Sequence, residues 1–209
     1  MDDDLLLLII SSPSGAGKTT LTKDLLTHFP ELTFSVSHTT RPARAGEVDG
    51  ADYHFVDRAA FQELANEQRF AEWAEVHGNL YGTCVDEIER CRAQQKLGLV
   101  FDIDYQGARQ IKAKRPDSVS VFVLPPSMDE LRRRLQGRAS DSEATIERRF
   151  RNAKREIEHY GLCDYLVVND NLEQAKQRMR SIVYAERARR WRMAPIAETL
   201  LRTSQLAEG

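Results

Sequence analysis

The stretch "SPSGAGKTT" (residues 12–20) sets two glycines, a lysine and a threonine at the spacing of a phosphate-holding loop. In the pattern G-x-x-x-x-G-K-[ST] the backbone N–H groups cradle phosphates, the lysine reaches the β- and γ-phosphates and the hydroxyl ligates Mg²⁺. Gly15, Gly17, Lys18 and Thr19 fall in register, while Ser12 stands where the pattern has glycine. The run Leu5–Ile10 before the loop reads as a strand and the residues after it as a helix. The free N–H groups and dipole of that helix start would then face an anion. Ser12, Pro13, Ser14, Gly15, Ala16, Gly17, Lys18 and Thr19 are the expected nucleotide-binding residues. A second cluster lies in "GLVFDIDYQG" (98–107), where Asp102 and Asp104 stand at the carboxyl end of an apolar run. Open α/β sheets bind ligands at that end, and a carboxylate there can hold Mg²⁺ or a ligand amine. Five histidines (His28, His38, His54, His77, His159) show no metal or triad spacing, so none is given a catalytic role.

These groups need a scaffold, and the hydrophobic pattern supplies one. Leu5–Ile10, Leu97–Ile103, Val119–Leu124 and Tyr165–Val168 are continuous apolar runs, as expected for parallel strands covered on both faces. Helical patterns fall between them. Leu21, Leu25, Leu26 and Phe29 share a helix face that should stop at Pro30. Ser127 with Glu130, and Ser140 with Glu143, are capping-box pairs. A last helix is expected from about Leu172 to near Pro195. The fold class is therefore α/β, a parallel sheet flanked by helices. Two segments break the rhythm. Residues 34–96 read as an insert with short antiparallel strands and two helical patches joined by "EVHGNLYGT". Residues 127–160 read as Arg-rich helices around a turn at 137–142.

Composition narrows the class. The chain has 209 residues with 41% hydrophobic and 30% charged, ordinary for one globular domain. A net charge of −2 gives no bulk attraction to nucleic acid. No apolar run reaches the roughly 18 residues a membrane span needs. The acidic start "MDDD" does not suit a secretory signal, and Cys84, Cys91 and Cys163 fit no zinc or redox spacing. The expectation is a cytoplasmic protein with no nucleic-acid or membrane partner, and homo-oligomerisation is left open.

Taken together, "SPSGAGKTT", "FSVSHTTRPARAGEVDGADYHFV", "FAEWAEVHGNLYGT", "DIDYQG", "RRRLQGR" and "DYLVVND" resemble the guanylate kinase family of bacterial type, in order and spacing along nearly the whole chain. The resemblance implies transfer of the γ-phosphoryl group of ATP to GMP with Mg²⁺. It also implies a P-loop NTPase-like core (4–33, 97–126 and 161–186), a GMP-binding insert (34–96), a helical lid (127–160), and a C-terminal helix and tail (187–209). It assigns Ser37, Arg41, Arg44, Tyr53 and Tyr81 to the GMP phosphate. Glu72 is assigned to guanine N1–H and the exocyclic amine, Thr83 to guanine O6, and Asp104 to the guanine amine. Thr83 stands where serine is more frequent and keeps the hydroxyl. Thr19 and Asp102 fall on the magnesium side, and Asn169 at the adenine end of ATP. Arg134 and Arg138, four apart on one helix face, become lid arginines, with Arg149 reaching the transferred group. Lys18, Arg41, Arg134, Arg138 and Arg149 are thus the catalytic set. Arg forks and phenols suit a dianion, and a carboxylate suits the donor pair that guanine presents and adenine lacks. Two other readings share these residues: a non-catalytic interaction module on the same fold, and a kinase for another mononucleotide.

Overall fold

The apolar run at the start of the chain divides its side chains between two cores. Leu6, Leu8 and Ile10 of strand β1 (Leu6–Ser11) pack in one cluster, and Leu7 and Ile9 in another with Leu5. Residues that alternate across a strand reach both layers only when helices cover both faces, which is why the run shows no polar alternation. The computed structural model describes residues 5–76, 78–137 and 143–206. His77, Arg138 and Ser140 lie outside them.

Five parallel strands form the central sheet, in the order β2 (Leu32–Phe34), β7 (Gly98–Asp102), β1, β8 (Val119–Leu124), β9 (Tyr165–Val168). Helices α1 (Lys18–His28) and α7 (Leu172–Arg187) cover one face through Leu21, Leu25, Met179 and Val183. Helices α3 (Val85–Ala93) and α4 (Tyr105–Lys114) cover the other through Ile88, Cys91, Ala108 and Ile111. Strand β2 is absent from the sequence-based reading, because three residues are too short to display a period. At the far edge β9 departs from two-sided burial: Leu166 and Val168 stay exposed while Val167 is buried, since α7 covers only one side of that strand.

The insert carries its own four-stranded sheet, in the order β4 (His54–Phe55), β3 (His38–Thr39), β6 (Asn79–Cys84), β5 (Phe70–Val76). Two of its pairings are antiparallel, as expected, and β3–β4 is parallel. Helix α2 (Arg58–Asn66) starts at Asp57, whose carboxylate caps the Ala60 N–H at 2.8 Å. Helices α5 (Met128–Gln136) and α6 (Glu143–Ile157) pack through Leu131, Leu135 and Ala153. Ser127 caps α5 by accepting from the Glu130 N–H, but the Glu130 carboxylate turns to Arg133 and Arg134, so the box is half made.

The helix expected to run from Leu172 to Pro195 is two helices, α7 and α8 (Arg190–Leu206). The chain turns at Ala188, whose N–H is shared by the Tyr184 and Ala185 carbonyls. Pro195 sits inside α8. There it leaves the Trp191 carbonyl without its i+4 N–H, and the helix continues past it despite that loss.

Candidate active site

At the carboxyl end of β1 the backbone turns sharply enough to need glycine twice. Gly15 has φ +91° and Gly17 has φ +98°, both in the left-handed region. Gly17 caps α1, and a Cβ on it would lie 2.3 Å from Asn169 Nδ2. Asn169 is buried at the end of β9, where its amide donates to the Ala16 carbonyl at 2.8 Å. Arg134 of α5 reaches the same place, donating to the Asn169 carbonyl at 3.0 Å and the Ala16 carbonyl at 3.4 Å. The loop is thus braced from outside by Asn169, which the sequence reading placed at the adenine end of ATP, and by Arg134, which it read as a lid arginine. Burial raises the carboxyl of Glu156, near the end of α6, above the usual range, and the nearby Ser14 N–H opposes the rise. Nothing in the sequence around Glu156 marked it, because a glutamate in a charged helix reads as solvated.

The loop opens onto a cavity of about 260 Å³ lined by Lys18, Ser37, Arg41, Arg44, Tyr53, Glu72, Tyr81, Asp102 and Asp104, together with Glu47, Ala74, Val76 and Ile103. Residues distant in sequence meet here because β1, β7 and the insert sheet all end at it. Lys18 forms an ion pair with Asp102, the last residue of β7. Asp104 caps α4, accepting from the N–H groups of Gln106 at 3.0 Å and Gly107 at 3.1 Å. Thr19 and Asp102 also share the wall of an adjoining cavity, where a hydroxyl and a carboxylate offer hard oxygen donors of the kind Mg²⁺ takes.

One end of the main cavity is acidic and buried. Glu72 on β5 is 3% exposed, and its Oε1 accepts from the Thr83 N–H at 3.0 Å. Burial pushes its carboxyl up to about 7, with Thr83 hydrogen bonds opposing and the charge of Asp104 adding to the rise. Thr83 is fully buried behind it, and its hydroxyl pairs with that of Ser37 at 2.9 Å. Ser37, its partner, lines the cavity, and Thr83 lies one hydrogen bond further in. Gly107 of α4 leaves room on the other side, since a Cβ there would lie 2.4 Å from Glu72 Oε2.

The other end is cationic. Arg41 lies 5.3 Å over the Tyr53 ring and donates two bonds to Glu47, at 2.9 and 2.8 Å. Glu47 also accepts from the Arg44 N–H at 2.7 Å, and Arg41 holds its carboxyl below the usual range. Tyr53 and Tyr81 meet edge to face at 6.0 Å, and burial raises the Tyr53 phenol. Glu47 was missed by sequence reasoning, although an acid three residues past Arg44 and directly after Gly46 was a readable cue. Arg149 is half-buried on α6 and outside the cavity wall.

A buried carboxylate, two arginines and a glycine-rich loop thus face one cavity. The guanylate kinase of Geobacter metallireducens is 51% identical over 187 residues, 90% of this chain and 92% of its own length. That of Myxococcus xanthus is 52% identical over 190 residues, 90% of each chain. The crystal structure of guanylate kinase from Anaplasma phagocytophilum matches with a TM-score of 0.71 at 34% identity, over 88% of this chain and 87% of that one. The guanylate kinase family model matches residues 5–186, and the chain belongs to that family.

Proposed function

We infer that the chain transfers the γ-phosphoryl group of ATP to the phosphate of GMP, giving ADP and GDP. The observation that carries this reading is the pairing, in one cavity, of a buried acceptor carboxylate with a two-arginine clamp, facing Lys18 of the phosphate loop. Adenine presents no N1–H and amine donor pair, so Glu72 favours guanine by bonds that AMP cannot make. The Thr83 hydroxyl is read at guanine O6, while its N–H and Gly107 fix where that carboxylate points. Arg41, Arg44, Tyr53, Tyr81 and Ser37 take the GMP phosphate; to do so Arg41 exchanges or shares its bonds with Glu47.

The attacking oxygen belongs to a phosphate already ionised near neutral pH, so no strong base is required. The obstacle is the approach of two polyanions. Lys18 and the loop N–H groups hold the donor phosphates, and Arg41 and Arg44 hold the acceptor, so both are aligned for in-line transfer. Thr19 and Asp102 are the residues suited to Mg²⁺, which when bound spreads charge over the phosphate oxygens. Arg134, Arg138 and Arg149 belong to the segment 127–160, read as a lid whose closure adds positive charge and excludes water. Asn169, which braces the loop through the Ala16 carbonyl, is read at the adenine end of ATP. The setting is the cytoplasm and guanine nucleotide supply, which suits three free thiols.

The test is ADP formation from ATP and Mg²⁺ with GMP, dGMP, AMP, IMP and CMP in turn. Turnover should be greatest with GMP. No turnover with any acceptor would leave the interaction-module reading, and a preference for AMP or CMP would overturn the assignment of Glu72.

A further inference from the structure

Strand β5 carries Glu72 and lies at the edge of the insert sheet, so one side of its backbone has no strand partner. Unpaired strand edges must be covered or hydrogen-bonded. Helix α4 does this with side chains at every fourth position. Gln106 Nε2 donates to the Glu75 carbonyl at 3.4 Å. Gln110 pairs with Trp73 twice, donating to its carbonyl at 2.7 Å and accepting from its N–H at 3.3 Å. Lys114 Nζ donates to the Ala71 carbonyl at 2.7 Å. The match is geometric. Four residues of helix rise about 6 Å, and two residues of strand rise about 6.7 Å. A helix running against the strand therefore meets the outward-facing carbonyls of Glu75, Trp73 and Ala71 in turn.

The consequence falls on Glu72. The Ala71 carbonyl belongs to the peptide unit before Glu72, and the Trp73 N–H to the unit after it. Lys114 and Gln110 thus hold both peptide planes that flank one α-carbon, while Gly107 of the same helix makes room for the carboxylate. We propose that Gln110 and Lys114 are positioning residues for guanine recognition: they lock the backbone around Glu72 to the core, while the clamp at Arg41 and Arg44 stays on the insert's own loop. This rests on the reading of Glu72 as the guanine acceptor.

The experiment compares Gln110→Met, Lys114→Met, Lys114→Arg and Glu72→Gln by steady-state kinetics with GMP and IMP, which lacks the 2-amino group. Gln110→Met and Lys114→Met should each raise the KM for GMP by about tenfold, the size of one lost hydrogen bond. They should leave kcat at saturating GMP and the KM for ATP within about twofold, and shrink the GMP-over-IMP ratio of kcat/KM about fivefold. Lys114→Arg, which keeps a donor for the Ala71 carbonyl, should behave as the unsubstituted enzyme. Unchanged GMP constants and selectivity in both Met variants, while Glu72→Gln damages GMP use, would overturn the proposal and spare the guanine reading. Equal losses for ATP and GMP would overturn it too, as general weakening of the fold. A Glu72→Gln enzyme with normal GMP kinetics would instead remove the guanine reading beneath it. Should Gln110→Met fail to fold, the Lys114 pair alone decides between these outcomes.

Discussion

Replacing Glu72 by glutamine should move binding and stability in opposite directions, and the two effects can be sized separately. In binding, the carboxylate accepts from the Thr83 N–H at 3.0 Å and offers its remaining acceptor capacity to guanine. An amide has one oxygen. If that oxygen stays with Thr83, its NH₂ faces the guanine donors; if it turns to guanine, NH₂ faces the Thr83 N–H. Hydrogen bonds to a charged group contribute about 1.5–3 kcal/mol each, so losing the guanine pair should weaken GMP by about a hundredfold to ten-thousandfold. For stability, the carboxyl is raised by burial from its ordinary 4.5 to about 7. Between those values the folded chain holds a proton that the unfolded chain has lost, so stability falls as pH rises through that window. The full cost is about 3 kcal/mol at most by pH 8. Glutamine carries no such cost. Its melting temperature should exceed that of the unsubstituted protein by about 5–10 °C at pH 8 and by little at pH 5. Calorimetric titration with GMP and ATP, with thermal unfolding at both pH values, reads all of this. Retained GMP affinity would refute the recognition argument, and an equal melting difference at pH 5 and pH 8 would refute the burial argument.

Lys18→Ala should lower kcat by at least about a hundredfold while circular dichroism stays unchanged, because among the described residues Lys18 pairs with Asp102 at the end of β7 and with no core group; near-normal turnover would place Lys18 away from the phosphates. Gly17→Ala meets both a φ of +98° and the Asn169 amide at 2.3 Å, and should cost about 1–3 kcal/mol of stability and weaken ATP more than GMP, measured by denaturant unfolding and ATP titration. Gly107→Ala places a methyl group 2.4 Å from Glu72 Oε2, and should raise the KM for GMP with the ATP value unchanged in steady-state assays. Glu47→Gln removes the charge that holds Arg41 at 2.8 Å; GMP should bind more tightly by a factor of about two to five if the two anions compete, whereas weaker binding would show that Glu47 positions Arg41.

How much of this was legible in the sequence follows from how local each signal is. The strands β1, β7 and β8 announce themselves because burial on both faces demands unbroken apolar runs. The start of α5 shows in Ser127, since a cap is a contact within one turn. Strand β2 and the break at Ala188 carry no such mark. Three residues cannot show a period, and the turn at Ala188 uses backbone bonds that any residue type could make. Pro195 misled for a related reason: its cost depends on which carbonyl it leaves free, and that depends on where the helix begins.

The site divides along the same line. Lys18, Gly15 and Gly17 are legible because the phosphate loop is one continuous turn, and a ligand made of phosphates imposes its demands on adjacent residues. Glu72, Arg41 and Tyr81 could be named only from their resemblance to a known family, because a lone glutamate or tyrosine is more often surface or core. What fixes them is non-local. Glu72 is held by Thr83 across a hairpin, whose hydrogen bonds oppose the rise that burial imposes, and Gly107 packs against it across the interface with the core. Gln106, Gln110 and Lys114 look from sequence like one solvated face of α4, spaced at i, i+4 and i+8. The same spacing serves a strand edge once β5 runs against the helix. A polar stripe on a helix is therefore ambiguous until the partner's period is known: water accepts any spacing, whereas a strand edge accepts only one that advances by about two residues for every helix turn.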